Sequence, residues 1–292
     1  MIVIDTFRRF LAGFAGLSCL VPVAVGLLSL PAAAQSQIVR FGSYASERPS
    51  EEMRKLEPFQ RYIETSLLAQ GFDARVDVRI FPTYEEGIDA MASGDIDFSR
   101  LGPVSYVTAK QKNPALILLA AEAQEGDKEF PAVMVVPKDS PIRTVADLRG
   151  KRFAFGDPLS TSGRYLPQAE LVKAGITAKG LAEFEYLGRH DKVVFAVASG
   201  RFDAGATNIN TFRKYADSKN LRELVRYPSP THAWVARNKL APALVNALRK
   251  ALLEMTDPRL QELIDRNGFL PATDADYDGL RRVMNAAKEF GG

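Results

Sequence analysis

An internal echo constrains the fold more than any other feature of the chain: Tyr84-Glu85 through Ala92-Ser93-Gly94-Asp95-Ile96-Asp97 is matched by His190-Asp191 through Ala198-Ser199-Gly200-Arg201-Phe202-Asp203. Each copy reads as a loop, an amphipathic helix, a Ser-Gly turn and a strand. Each helix follows a strand-like run, Val76–Phe81 or Phe184–Leu187, so both are expected to open at the carboxyl ends of strands, where open α/β sheets hold ligands. A unit used twice implies two related lobes. Two lobes that face one another enclose a cleft.

The rest of the chain agrees with an α/β class. Ile38–Gly42 reads as a first strand, and Pro49 to Gly71 as a helix with apolar positions at Met53, Leu56, Phe59, Ile63, Leu67 and Leu68. Strand and helix alternate from there, the pattern of a largely parallel sheet. The apolar run Phe130–Pro137 is expected to cross from the first lobe to the second, and Tyr227–Ala236 to cross back. The implied organisation is a leader over 1–34, a first lobe from 35–131 and 232–292, and a second lobe from 132–231. Helices at Pro242–Thr256, Pro258–Asn267 and Asp276–Phe290 then finish the first lobe, and the paired crossings permit closure around a ligand.

The leader reading rests on Arg8 and Arg9, an apolar run from Phe10 to Leu30, and Pro31-Ala32-Ala33-Ala34-Gln35, an Ala-x-Ala cleavage pattern. The competing reading is a membrane anchor, because the run approaches the ~20 residues that span a bilayer. Pro22 and the small-residue ending favour cleavage near Ala34 and an exported, periplasmic chain that does not span the membrane. The twin-arginine and lipoprotein patterns fit poorly at Arg8-Arg9-Phe10-Leu11 and Gly16-Leu17-Ser18-Cys19. The single cysteine, Cys19, leaves with the leader, so the mature chain carries no thiol chemistry. Losing Arg8, Arg9 and Asp5 takes the formal charge from +3 to +2, too balanced for a nucleic-acid partner. With 46% hydrophobic and 25% charged residues, the chain can bury substantial cores.

A preference for anions must therefore be local, and Gly156-Asp157-Pro158-Leu159-Ser160-Thr161-Ser162-Gly163 supplies one. A turn opens onto three hydroxyl residues where a helix begins. The first helical turn leaves backbone N–H groups unpaired, and the macrodipole adds roughly half a positive charge there. Hydroxyl donors beside it suit a phosphate-like group. The plainer alternative is that Ser160 or Thr161 only caps the helix.

Taken with Lys138–Ile142, Leu148–Lys151, Gly188-Arg189-His190 and Ala206-Thr207-Asn208, this turn resembles the phosphate/phosphite/phosphonate substrate-binding proteins of ABC transporters. The resemblance covers nearly all of Val39–Pro271. It implies a type II periplasmic binding fold, two α/β lobes joined by two hinge crossings. It places Ser160, Thr161, Ser162 and a helix-N-terminal His190 on the ligand oxygens, with Tyr84 closing from the other lobe and Thr207 and Asn208 nearby. The echo independently pairs Tyr84 with His190. Where aminoalkylphosphonate-accepting relatives carry carboxylates for the ligand ammonium, this chain has Asn210 and His232. Phe130 stands where a tyrosine is frequent, and Arg164 where an apolar residue is usual; facing the cleft, Arg164 adds a cation beside the anion. The ligand expected is phosphate, phosphite or a simple alkylphosphonate, not aminoethylphosphonate.

Other chemistries find little support. Two histidines and no mature cysteine leave no metal-ligand spacing, and no cofactor is expected. Ser160 or Ser162 with His190 and Asp191 could be drawn as a hydrolytic triad, but no Gly-x-Ser-x-Gly elbow exists, and adjacent His190 and Asp191 point apart at a helix start. Trp234 beside the return crossing could line the cleft or pack in a core. The expectation is a monomeric, non-enzymatic binding protein that hands a phosphorus oxyanion to permease transmembrane subunits. Its alternatives are presentation of the ligand to a membrane sensor kinase, or a cleft that takes another small anion.

Overall fold

The computed structural model describes residues 36–263 and 267–292; the leader and cleavage site read at 1–34 lie outside the described residues. The chain first lays down β1 (Gln37–Tyr44), α1 (Pro49–Ala69), β2 (Ala74–Phe81), α2 (Tyr84–Ser93), β3 (Phe98–Leu101), α3 (Pro103–Lys112) and β4 (Ile117–Glu122). It crosses along β5 (Glu129–Pro137) into β6 (Arg152–Phe155), then a π-helical turn, Thr161–Tyr165, runs into α4 (Leu166–Lys173). β7 (Glu183–Tyr186), α5 (His190–Ala198), β8 (Ala204–Asn208), α6 (Ile209–Tyr215) and β9 (Leu221–Pro230) follow. The return comprises β10 (Ala233–Ala236), α7 (Pro242–Leu253), α8 (Pro258–Leu263), β11 (Phe269–Leu270) and α9 (Asp278–Ala287).

Two sheets result, ordered β11-β4-β10-β3-β1-β2 and β7-β6-β8-β5-β9. Each holds a parallel trio, β2-β1-β3 or β7-β6-β8. Each trio is followed by an antiparallel strand that arrives on a crossing, β10 or β5. The lobes thus share one plan, as the echo requires. The shared aspartates do the same work in both: Asp97 accepts from the Arg40 backbone N–H at 2.7 Å and its Nε at 3.1 Å, and Asp203 accepts from the Arg152 N–H at 2.9 Å and Nε at 3.2 Å. The shared glycines, Gly94 and Gly200, take φ of +88° and +75°, the left-handed turn that other residues adopt at a cost. The echo therefore encodes a turn and a strand clamp.

β5 reads as a continuous apolar run because it is buried on both faces: Ala132, Met134 and Val136 join one core cluster, Val133 and Val135 the other. In α1, Leu56, Phe59, Ile63 and Leu67 are buried as expected, but Met53 and Leu68 are exposed. Leu68 falls about 100° round the helix from Leu67, off the inward stripe. Trp234 is fully buried against Phe41 and Phe59, so it packs in a core and does not line the cleft. The C-terminal segment reaches beyond the first lobe: Leu280 and Met284 pack with Tyr106, whereas Phe290 lies in the second-lobe core, edge-on to Phe155 and Phe184 at 5.4 and 5.5 Å.

Candidate functional site

Between the lobes lies a cavity of about 70 Å³, room for on the order of five water-sized groups. Helix starts converge on it. Glu52 lies near the start of α1, Tyr84 and Pro103 open α2 and α3, His190 opens α5, Thr161 begins the turn into α4, and Asn208 caps α6. All of these residues line the cavity. Each first turn brings the positive end of its dipole, so the chamber suits an anion even where no cation points at it.

The hydroxyl cluster is buried, with Ser160, Thr161 and Ser162 at 2%, 6% and 5% exposure. Ser160 Oγ accepts from Gly163 N–H at 3.0 Å, and Thr161 Oγ1 accepts from Val104 N–H across the cleft at 2.9 Å. Each hydroxyl thus accepts one backbone N–H and keeps a proton of its own as a donor. The turn is possible because Gly156 and Gly163 meet backbone to backbone, Gly156 N–H donating to the Gly163 carbonyl at 2.8 Å. A Cβ on Gly163 would lie 2.9 Å from Gly156 Cα.

From the first lobe, Tyr84 stacks on Tyr44 with ring centroids 3.9 Å apart. Burial pushes the Tyr84 phenol well above its ordinary pKa, with a hydrogen bond to Ser160 pulling the other way. Burial likewise raises Tyr44 to about 12; its hydroxyl donates to Ser105 Oγ at 2.9 Å and accepts from Gly102 N–H at 2.6 Å. His190 donates its backbone N–H to Ser46 O at 3.2 Å. Its Nδ1 is buried with no partner among the described residues. Burial pulls the imidazole down to about 4, so it is neutral at physiological pH, with an unsatisfied polar atom at a ligand cavity.

Most of the expected residues gather here: Ser160, Thr161, Ser162, His190, Tyr84, Asn208, Asn210, Phe130 and His232 all line the cavity. Asn208 Oδ1 also accepts from Thr211 N–H at 2.8 Å, and Phe130 stacks against His232. Two do not join them. Thr207 is wholly buried within β8, one residue short of the cavity wall. Arg164 is turned away, donating to Pro158 O at 2.6 Å and lying over the Tyr165 and Tyr186 rings. It lines a separate groove with Arg281 and Asn285 and adds no cation to the anion chamber.

The cavity also holds residues that the sequence did not flag: Tyr44, Ser46, Glu47, Glu52, Lys55 and Arg100 among them. For Ser46 and Glu47 the signal was available, since the loop after β1 is also the carboxyl end of a parallel strand. Arg100 pairs with the fully buried Glu122 at 2.5 Å, and His232 Nδ1 lies 3.3 Å from the same carboxylate. Glu47 accepts from Thr211 Oγ1 at 2.6 Å and lies 3.5 Å from Lys214 Nζ, both across the cleft. Asn210 and His232 thus do not leave the cleft without carboxylates, because Glu47 and Glu52 come from the loop and helix after β1.

Residues 41–277 match the family model described as the periplasmic substrate-binding protein of phosphonate ABC transporters. The chain belongs to that family. Among curated relatives of this phosphonate-binding family, it is 26% identical over 234 residues to the probable ABC transporter phosphite binding protein PhnD1 of Prochlorococcus marinus, covering 71% of this chain and 78% of that one. It is 27% identical over 254 residues to the phosphonates-binding periplasmic protein of Escherichia coli, covering 84% and 71%. Among solved structures, PhnD1 of Prochlorococcus marinus in complex with methylphosphonate superposes with a TM-score of 0.78 at 23% identity, covering 87% of this chain and all of that one. The two-lobed fold is accordingly the type II periplasmic binding fold, and the protein is the periplasmic solute-binding component of an ABC transporter for phosphorus oxyanions.

Proposed function

We propose that the cavity holds a single small phosphorus oxyanion (phosphite, phosphate or methylphosphonate) gripped by Ser160, Thr161, Ser162 and His190 from the second lobe and by Tyr84 from the first. The observation that carries this reading is a chamber of about 70 Å³ walled by helix starts and by buried hydroxyls held in place by backbone N–H groups. Donors fixed before the ligand arrives cost little to organise, and exclusion of bulk water strengthens each bond they make. Space sets the upper size. An anion of four or five heavy atoms fits a chamber with room for about five water-sized groups, whereas aminoethylphosphonate carries a further aminoalkyl arm. Glu47 already holds Thr211 and Lys214, which leaves little for an ammonium. The same reading has the protein working as a monomer without catalysis, its leader cleaved near Ala34, and its lobes dividing at 131/132 and 231/232.

The test is calorimetry on the mature chain, freed of endogenous ligand, with phosphate, phosphite, methylphosphonate and aminoethylphosphonate. Tight binding of at least one of the first three, with aminoethylphosphonate weaker, is expected. Tightest binding of aminoethylphosphonate refutes the size argument, and no binding to any of the four refutes the oxyanion reading.

A further inference from the structure

Glu52 is the least expected wall of an anion chamber. It is 6% exposed, lines the cavity, and accepts a hydrogen bond from Ser46 Oγ at 2.9 Å. An ionised carboxylate has acceptor sites only, so it repels any fully deprotonated oxyanion placed against it. The surrounding charges do not offset this repulsion. Facing the chamber with Glu52 are Lys55 from its own helix, Glu47 from the preceding loop, Arg100 from β3, the Tyr44–Tyr84 pair, and His190 and His232. Arg100 is already matched by Glu122, Lys214 on α6 is taken by Glu47 and Glu51, His190 is neutral, and Lys55 stands against Glu52 itself. No surplus of positive side chains remains to meet a dianion.

Resting on the oxyanion reading, we propose that Glu52 and the bound anion hold one proton in common, so that the cleft selects oxyanions that still carry an acid proton over fully ionised sulfonates. A phosphorus monoanion brings that proton on a P–OH group and donates it to the carboxylate, a charge-assisted bond of the stronger kind. No bond to phosphorus forms or breaks; a proton is shared between two oxygens. A sulfonate, as the anion of a strong acid, has no such proton, and Glu52 must first take one from solvent. Burial raises the Glu52 pKa, which brings carboxyl and ligand oxygen closer to an even match. The carboxylate thus acts as a repulsive element against the wrong anion.

Methylphosphonate and methanesulfonate test this directly, being close in shape and one proton apart. Calorimetry at neutral pH on the wild type is expected to give methylphosphonate an advantage of at least about 100-fold. In Glu52→Gln the amide keeps an acceptor for Ser46 and presents N–H donors, so the advantage is expected to fall at least tenfold, about 1.4 kcal/mol. Above the second ionisation of methylphosphonate, wild-type binding is expected to take up about one proton, measured in buffers of different ionisation enthalpy, and Glu52→Gln to take up less. Equal affinity of the wild type for the two ligands overturns the proposal without any variant. A folded Glu52→Gln with an unchanged ratio, or undiminished proton uptake, overturns it too and assigns the proton elsewhere. If the wild type binds no phosphorus oxyanion, the reading of the site itself has failed.

Discussion

Ser160 and Thr161 differ in what else they hold. Ser160 Oγ closes its own turn through Gly163 N–H, whereas Thr161 Oγ1 takes a backbone N–H from the opposite lobe. Replacing either by alanine removes a donor to the ligand, an expected loss of about 1–3 kcal/mol in binding. Thr161→Ala should cost more, because Val104 N–H also loses its acceptor in the closed form; calorimetry on the two variants checks the order. His190 gives a pH signature. Its folded pKa of about 4 lies below the unfolded value of about 6.5, so the unfolded chain binds protons first as pH falls. Its stabilising contribution is intact above 6.5 and is lost toward 4, amounting to about 2 kcal/mol by about pH 5. Urea unfolding from pH 7 to about pH 5 should show that slope, and His190→Gln should flatten it. The Ser-Thr-Ser run, His190 and Asn208 were legible because they sit at turns where helices begin, and their spacing is written in the chain. Arg164 was not, since its direction depends on the pitch of a π turn. Glu52 and Arg100 carry no motif at all.

At the scale of the element, the Ser160 turn depends on two glycines in backbone contact. Gly163→Ala forces that contact apart and dislodges the hydroxyls, so binding of methylphosphonate should fall at least tenfold, about 1.4 kcal/mol or more. Circular dichroism should still report the native helix content, because the clash is confined to one turn. The echoed aspartates make a matching pair of tests. Asp97 is 3% exposed and serves Arg40 and Arg237, so Asp97→Ala should destabilise the first lobe by about 3 kcal/mol in urea unfolding. Asp203 is more open to solvent, and Asp203→Ala should do less. Strand and helix order was readable from periodicity, and the Ala-Ser-Gly-x-x-Asp echo from repetition. That its aspartates are strand clamps was not readable, since their partners Arg40 and Arg152 lie far off in sequence.

For the molecule as a whole, the lobes are held face to face by more than a ligand. Lys214 on α6 pairs with Glu51 at 2.8 Å and lies 3.5 Å from Glu47, while Thr211 donates to Glu47. These contacts bridge the two lobes. Lys214→Ala should therefore shift the unliganded protein toward the open form, seen as a larger radius of gyration in X-ray scattering, and weaken ligand binding severalfold. The way the lobes interleave also orders their making. β10, the strand that completes the middle of the first sheet, follows the whole second lobe along the chain, and the second core in turn borrows Phe290 from beyond the last strand. Neither half can reach its final packing until nearly all of the polypeptide is present.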